Sequence, residues 1–362
     1  MIRHVIAGCV MLLLASSAQA ADKKPFTQDD ARKIVGDLQK IVTSNGIEKL
    51  MTIPVNGTQQ WISIRGRDLD NPILLFIHGG PAAPEMPTSW TFQNGWEDYF
   101  TVVQWDQRGS GKTYLANDPA KIKPTVTKAQ MISDAEEVVR YLRATYHKDK
   151  IFVLGHSWGS VLGLSLAAKH PEWLYAYIGM GQVIDAHANE REGYEAALKA
   201  AEAAHNETAI KELRAIAPYP DPSGKLSIPK ILTERKWDRA LGGMMYGKAV
   251  DDSDLYRSLS PDYSDEDLKS YELGEMASAP ALMAQLTAFD FENVTKFGCP
   301  VFFFAGEDDR TTPESIVESY YPRIEAPKKG FFKIPHAAHY VVNEAPGIVL
   351  VDLVTKIRPL AQ

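Results

Sequence analysis

The most chemically informative segment of the sequence is Gly155-His156-Ser157-Trp158-Gly159, a serine set between two glycines. It follows the apolar run 151–154 and precedes a helical pattern that begins at Ser160. A tight turn between a strand and a helix leaves no room for side chains two residues before and two residues after the serine. Such a turn exposes the serine hydroxyl and directs the amides of the next helix toward a developing negative charge. The pattern therefore predicts that Ser157 attacks a carbonyl carbon.

A serine nucleophile needs a base to accept its proton and a carboxylate to orient that base. Candidates for both roles follow the last two apolar runs of the chain. Three acids and two histidines compete for the two roles, and they are Glu307, Asp308, Asp309, His336 and His339.

The negative charge formed on a carbonyl oxygen during attack needs two backbone N–H donors fixed in advance. The Trp158 amide, at the start of the helix after the serine, is the first candidate. The loop after the run 73–77 reads His78-Gly79-Gly80-Pro81-Ala82, and glycines allow the backbone to approach a substrate closely. We predict the Gly80 amide as the second donor and a bracing, hydrogen-bonding role for His78.

The elements that must position these groups alternate between strand and helix patterns, which is typical of a mainly parallel, doubly wound α/β sheet. Asn56-Gly57 predicts a hairpin between the first two strands. The predicted strands are 51–55, 60–64, 73–77, 101–105, 151–154, 174–178, 300–304 and 330–334. The predicted helices are 27–50 with Thr27 as its N-terminal cap, 127–146, one after the serine to about 169, 313–321 and 343–357.

Strand patterns are absent between residues 185 and 297, where alanine- and glutamate-rich helical patterns replace them. We call this helical insertion the cap. The predicted organisation is a signal peptide at 1–20, an N-terminal helical segment at 21–50, a core at 51–184 and 298–362, and the cap at 185–297.

The first twenty residues have the features of an export signal. Arg3 precedes a short apolar run, and Ala18-Gln19-Ala20 supplies a cleavage pattern. We therefore expect a periplasmic or secreted protein that starts near Ala21, without stable membrane insertion after the leader is removed. Lipidation at Cys9 is an open alternative. Loss of Cys9 would leave Cys299 alone, predicted to be a buried packing residue, so no intramolecular disulfide is expected.

Composition narrows the classes of partner. The chain of 362 residues has 45% apolar and 23% charged residues and a formal net charge of −7, with no basic run. This balance disfavours a nucleic-acid partner. A small molecule or a short peptide is the expected substrate, the serine chemistry needs no metal or organic cofactor, and the oligomeric state stays open.

Three motifs together resemble a known family. They are His78-Gly-Gly-Pro-Ala82, Trp105-Asp-Gln-Arg-Gly-Ser-Gly111 and Gly155-His-Ser-Trp-Gly-Ser160, and their order and context resemble the α/β-hydrolase fold and, within it, the proline iminopeptidase family. The resemblance extends from about residue 50 to residue 360. Ala82 and His156 depart from it, because the family has glycine at both positions.

The resemblance also selects among the competing acids and histidines. The family's spacing of glycine, acid and proline matches Gly306, Asp309 and Pro313, which favours Asp309 over Asp308. The stretch that ends in Glu344-Ala-Pro346 aligns His339, rather than His336, with the family's base.

The resemblance further implies that Asp106 and Arg108 tie their loop to the loop that contains Gly80. In that family, acids of the cap bind the free amino end of the substrate. Asn189, Glu190 and Glu192 are candidates here, with Glu190 preferred, although a solvated helix face would explain them equally well.

The resulting functional hypothesis is a serine aminopeptidase that removes N-terminal residues, such as proline, from short peptides. A carboxylesterase using the same Ser157, His339 and Asp309 is the alternative. A third hypothesis is a non-catalytic binding protein on the same scaffold. Such a protein would be expected to have lost a residue of the catalytic triad or the oxyanion loop.

Overall fold

The computed structural model describes residues 25–223, 226–248, 253–286 and 289–361. The predicted signal peptide, including Cys9, lies outside these ranges. One eight-stranded sheet forms the centre of the protein, in the order β1-β2-β4-β3-β5-β6-β7-β8. The strands are β1 (Ile47–Val55), β2 (Thr58–Gly66), β3 (Ile73–Ile77), β4 (Thr101–Trp105), β5 (Ile151–His156), β6 (Leu174–Met180), β7 (Val301–Gly306) and β8 (Lys329–Ile334).

The pairing of the strands confirms a mainly parallel sheet. β1 pairs antiparallel with β2 and β2 with β4, whereas the remaining neighbours are parallel. The turn between β1 and β2 consists of Asn56 and Gly57, whose φ angles are 41° and 79°. Both angles lie in the left-handed region that Asn-Gly adopts readily, and the predicted hairpin is confirmed.

Helices cover both faces of the sheet. They are α1 (Gln28–Leu38), α2 (Gly111–Leu115), α3 (Pro119–Ile122), α4 (Lys128–Thr145), α5 (Trp158–Lys169), α6 (Ala186–Ala203), α7 (Glu207–Ala215), α8 (Ile228–Ala240), α9 (Ser253–Ser258), α10 (Asp265–Leu286), α11 (Glu314–Tyr320), α12 (Val341–Glu344) and α13 (Pro346–Asp352). Side chains of β3 alternate between two cores: Leu75 packs in the cluster that contains Val138 of α4, and Phe76 in the cluster that contains Val341 of α12. This alternation is expected of a strand buried on both faces.

The predicted helix over 27–50, and with it the helical segment 21–50, is only partly correct. Thr27 does cap α1, because its hydroxyl accepts a hydrogen bond from the Asp30 amide. The helix ends at Leu38, however, and the chain turns at Gly46 before β1 begins at Ile47. β1 pairs with β2 along its full length, from Ile47 opposite Gly66 to Val55 opposite Thr58. This pairing provides hydrogen-bond partners for the backbone N–H and C=O groups of residues that the predicted helix would have included.

The predicted C-terminal helix over 343–357 is divided. α12 ends at Glu344 and α13 begins at Pro346, after which Leu353–Ile357 continues with wider helical turns. Proline has no N–H to donate to the preceding turn and is favoured at the first position of a helix, which explains the division at this point.

The described part of the cap consists of α6–α10, inserted between the adjacent strands β6 and β7. Helices α6, α7 and α8 share a small apolar core, and α10 lies against the core domain near α2, where Ser270 donates to the Gly111 carbonyl at 3.0 Å. Within the described ranges, no helix combines the length and the apolar character needed to cross a membrane.

Candidate active site

The turn between β5 and α5 is as tight as predicted, and its backbone is strained at Ser157. Ser157 has φ 52° and ψ −119°, a conformation rare for a residue with a side chain, and its amide donates to the Met180 carbonyl at 2.9 Å. A Cβ atom on Gly155 would lie 2.4 Å from the Gly159 carbonyl oxygen, and one on Gly159 would lie 2.0 Å from the Ile77 carbonyl oxygen. Both glycines are therefore required by the close backbone packing.

This packing gives a stability prediction. Gly159→Ala should lower the free energy of unfolding by about 3 kcal/mol, because the contact is with backbone that cannot move aside. Urea unfolding followed by circular dichroism measures it. Gly347→Ala is the matched control, since nothing lies within 4 Å of its Cβ position, and it should leave the free energy of unfolding nearly unchanged or higher. Equal effects of the two variants would contradict the steric explanation.

The structure brings together one acid and one histidine of the five candidates. His339 Nδ1 lies 2.9 Å from Asp309 Oδ2. Asp309 is also held by the amides of Thr311 and Thr312, at 2.9 and 2.8 Å, and by the Thr312 hydroxyl at 2.7 Å. A carboxylate held by this many donors is fixed in position, which suits it to orient an imidazole.

The competing candidates lie elsewhere. Glu307 is exposed and Asp308 is half-buried, with its amide bonded to the Ala337 carbonyl. His336 is exposed, and its ring lies against Tyr246 with centroids 5.3 Å apart. Only Asp309 and His339, among the five, are hydrogen-bonded to each other.

Glu344 and Met244 hold the loop that carries His339, and Gly181 leaves room for its side chain. The Glu344 carboxylate accepts a hydrogen bond from the Ala338 amide at 2.8 Å, which explains why a glutamate follows the histidine in the sequence motif. The His339 amide donates to the carbonyl of Met244, a residue of the cap. Gly181 leaves room for the imidazole, because a Cβ atom there would lie 3.1 Å from His339 Cε1.

The loop after β3 lies against the serine. A Cβ atom on Gly79 would be 3.0 Å from Ser157 Cβ, so this glycine allows the approach. Gly80 has φ 107° and lines the same cavities as Ser157, as expected of an oxyanion donor. His78 is buried, its Nδ1–H faces the Gly79 carbonyl at 2.9 Å, and burial lowers its pKa to about 4, which suits a neutral bracing residue.

The prediction that Asp106 and Arg108 tie their loop to the Gly80 loop is wrong. Arg108 forms a buried ion pair with Asp134 of α4 at 2.7 Å. Asp106 accepts hydrogen bonds from the Lys112 amide and from the hydroxyl of Tyr263 in the cap. Both residues therefore fasten their loop to other elements.

The residue between them makes the predicted connection. The Gln107 backbone N–H donates to His78 Nε2 at 3.2 Å, and its side-chain Nε2 donates to the His78 carbonyl oxygen at 2.8 Å. Its side-chain oxygen accepts from Trp158 Nε1 at 3.1 Å. Gln107 thus links the Gly80 loop to the helix that starts after Ser157.

Sequence reasoning missed Glu85, which lies in the loop after β3. The fully buried ring of His156 bonds to Glu85 through Nδ1 and to the His339 carbonyl oxygen, at 3.0 Å, through Nε2. Burial opposes the charging of His156, but Glu85 outweighs this effect and raises the pKa of His156. The signal available in the sequence was the histidine itself, since a buried imidazole before Ser157 needs a polar partner.

The Glu85–His156 pair gives a pH-dependent prediction. Because the folded-state pKa of His156 is raised, its contribution to stability is complete below the unfolded value near 6.5 and is lost as pH rises through the folded value. Glu85→Gln should therefore lower the free energy of unfolding by about 3 kcal/mol at pH 6 and by less at pH 9. Urea unfolding at the two pH values tests this, and an equal loss at both would contradict it.

Two cavities meet at Ser157, and we call them inner and outer. The inner cavity, of about 50 Å³, is lined by cap residues that include Glu190 and Arg235, together with Gly80 and Thr312. The outer cavity, of about 280 Å³, contains His339 in its wall and extends toward Arg239 of the cap. The cap therefore forms one side of both cavities.

Buried carboxyl groups outnumber cations beside the inner cavity. Glu190 accepts hydrogen bonds from the Tyr219 hydroxyl and from Arg235, which also pairs with Glu234. Burial raises the pKa of Glu234 to about 8, and burial also raises the pKa of Asp238. One oxygen of Glu234 and one of Asp238 have no hydrogen-bond partner among the described residues.

The other two cap candidates differ in position. Asn189 lines the inner cavity, is 4% exposed, and its Oδ1 has no hydrogen-bond partner within the described ranges. Glu192 lies on the outer side of α6, where it accepts a hydrogen bond from Ser315 at 2.6 Å. The structure therefore brings Asn189 and Glu190 to the cavity, and not Glu192.

Comparison with known proteins places the chain in a family. The α/β hydrolase fold model matches residues 72–346, and the chain belongs to this family. It is similar to the probable aminopeptidase YbaC of Bacillus subtilis, with 30% identity over 310 residues that cover 85% of this chain and 96% of that protein.

Solved structures share the fold at lower identity. The proline iminopeptidase of Mycobacterium smegmatis has a TM-score of 0.63 and 16% identity, covering 86% of this chain and 99% of its own. A putative lipase of Acinetobacter baumannii AYE has a TM-score of 0.60 and 16% identity, covering 94% and 98%. The fold therefore defines an α/β hydrolase, and the substrate has to be inferred from the site.

Proposed function

We propose that the protein is a serine aminopeptidase of the proline iminopeptidase type, which releases an N-terminal residue from short peptides through an acyl-enzyme. The proposal rests on the buried carboxyl groups beside Ser157. The similarity of this chain to a probable aminopeptidase along most of its length supports the same assignment.

The carboxyl groups favour a substrate with a free amino group. Arg235 pairs with both Glu190 and Glu234, the buried Asp238 belongs to the same group of charges, and burial keeps the pKa of Glu234 near 8. Buried carboxyl groups without sufficient positive charge are costly to ionise. A substrate ammonium group in the inner cavity would supply the missing positive charge, with Glu190 and Asn189, which line that cavity, as its acceptors. An ester without an amino group would gain nothing from this arrangement.

The proposed reaction follows from the neighbours of Ser157. The Ser157 oxygen attacks the carbonyl carbon of the first residue while its proton moves to His339, and Asp309 stabilises the imidazolium. The amides of Gly80 and Trp158 bind the oxyanion. His339 then gives the proton to the leaving amine as the C–N bond breaks, and water attacks the acyl-enzyme in the same way to release the free amino acid.

Two substrates separate the aminopeptidase from the carboxylesterase. Purified protein and its Ser157→Ala variant are offered prolyl p-nitroanilide and p-nitrophenyl butyrate, and nitroaniline or nitrophenol release is followed. We expect hydrolysis of the anilide by the wild type and none above background by the variant. Hydrolysis of the ester without the anilide would contradict the aminopeptidase and favour the carboxylesterase.

A further inference from the structure

We propose that Arg239 binds the C-terminal carboxylate of the substrate, so that the enzyme prefers di- and tripeptides with a free carboxyl end. This inference rests on the proposed aminopeptidase function and adds the substrate's other end to it. The observation that carries it is Arg239, which lines the outer cavity but not the inner one and whose side chain has no hydrogen-bond or ion-pair partner within the described residues.

Helix α8 presents two arginines to the site with different surroundings. Arg235 and Arg239 are four residues apart, and residues at this spacing lie on the same face of a helix. Arg235 is neutralised by Glu190 and Glu234. Arg239 lines the outer cavity and forms no hydrogen bond or ion pair with any residue in the described ranges. A guanidinium can bind a carboxylate through two parallel hydrogen bonds.

Three arginines and two glutamates line the outer cavity, and they are Arg235, Arg239, Arg257, Glu85 and Glu275. Arg257 pairs with Asp254 and lies over the Tyr271 ring, 4.6 Å from its centroid. Glu85 is bonded to His156. Glu275 also lines this cavity; burial raises its pKa, and Arg257 and Arg239 act in the opposite direction.

Both cavities reach Ser157, and Glu190 lines only the inner one whereas Arg239 lines only the outer one. A short peptide is a zwitterion with the matching polarity, its ammonium in the inner cavity and its carboxylate in the outer cavity. The four residues of α8 from Arg235 to Arg239 advance about 6 Å along the helix axis, and each residue of an extended peptide spans about 3.3–3.6 Å. This spacing suits a di- or tripeptide better than a long chain.

Three substrates and three proteins test the proposal. Prolyl-alanine and prolyl-alaninamide differ only in the terminal carboxylate, and prolyl p-nitroanilide reports the aminopeptidase activity alone. The proteins are the wild type, Arg239→Met, and the control Lys236→Met. Lys236 lies on the same helix but pairs with Glu212, so the control removes one positive charge outside the outer cavity.

For the wild type we expect kcat/KM for prolyl-alanine to exceed that for prolyl-alaninamide about 10-fold, mainly through KM, as a charge-assisted hydrogen-bonded pair predicts. Arg239→Met should bring this ratio close to one, and Lys236→Met should retain it. Wild type that cleaves the anilide but does not distinguish the two dipeptides, or an Arg239→Met variant that retains the ratio, would overturn the carboxylate site alone. Wild type that cleaves none of the three would overturn the aminopeptidase function as well.

Discussion

Replacing Ser157 by alanine is expected to lower kcat/KM for prolyl p-nitroanilide by about a millionfold, with the fold unchanged. Removal of a serine nucleophile from a working triad has an effect of this size because no other group forms the acyl-enzyme. His339→Ala should have a similar effect, and Asp309→Asn should cost about 10⁴-fold, since the imidazole loses the partner at 2.9 Å that orients it. Discontinuous assays at high enzyme concentration can measure kcat/KM values that are lower than the wild-type value by these factors.

The competing residues supply matched controls for this series. Asp308→Asn and His336→Ala change neighbouring groups of the same chemical types, half-buried and exposed respectively, that are not bonded to Asp309 or His339. Both variants should retain kcat/KM within about twofold of the wild type, as expected of substitutions outside the site. A large loss in Asp308→Asn with a small loss in Asp309→Asn would contradict the assignment of the acid.

Replacing Glu190 by glutamine is expected to lower the ratio of anilide to ester kcat/KM about 100-fold. The substitution keeps the shape of the side chain and removes a charge that would pair with a desolvated ammonium group, and such pairs are worth several kcal/mol when one partner is truncated. The anilide carries the free amino group and p-nitrophenyl butyrate does not, so the ratio isolates recognition of the amine from the chemistry at Ser157.

Glu192→Gln is the control for Glu190→Gln. Both residues lie on α6 and both variants lose one negative charge, but Glu192 contacts Ser315 on the outer side of the helix. This control should leave the ratio of anilide to ester unchanged. Because Glu190 also binds Tyr219 and Arg235, thermal unfolding of both variants should accompany the assays to separate lost recognition from lost structure. Equal ratios in the two variants would contradict a role for Glu190 in binding the amine.

The parts of the site that could be predicted from sequence are those in which local chain geometry dictates the residue. Gly155 and Gly159 are required by backbone atoms 2.4 Å or less from their Cβ positions, so the elbow is visible in the sequence. Strands buried on both faces, such as β3, are likewise visible as continuous apolar runs.

Contacts between distant segments of the chain could not be predicted from the sequence. The choice of Gln107 rather than Asp106 as the link to the Gly80 loop depends on side-chain directions within one tight turn. The Glu85–His156 pair joins residues 71 apart in the chain. The end of α1 at Leu38 was missed because pairing between β1 and β2 overrides a continuing helical pattern.

The central claim, that the enzyme acts on substrates with a free amino group, is tested most directly by blocking that group. Purified wild-type protein is assayed with prolyl p-nitroanilide and with N-acetylprolyl p-nitroanilide, which have the same scissile bond and leaving group. If Glu190 and its neighbours bind the ammonium, kcat/KM for the acetylated substrate should be at least about 100-fold lower. Equal or faster hydrolysis of the acetylated substrate would contradict the claim.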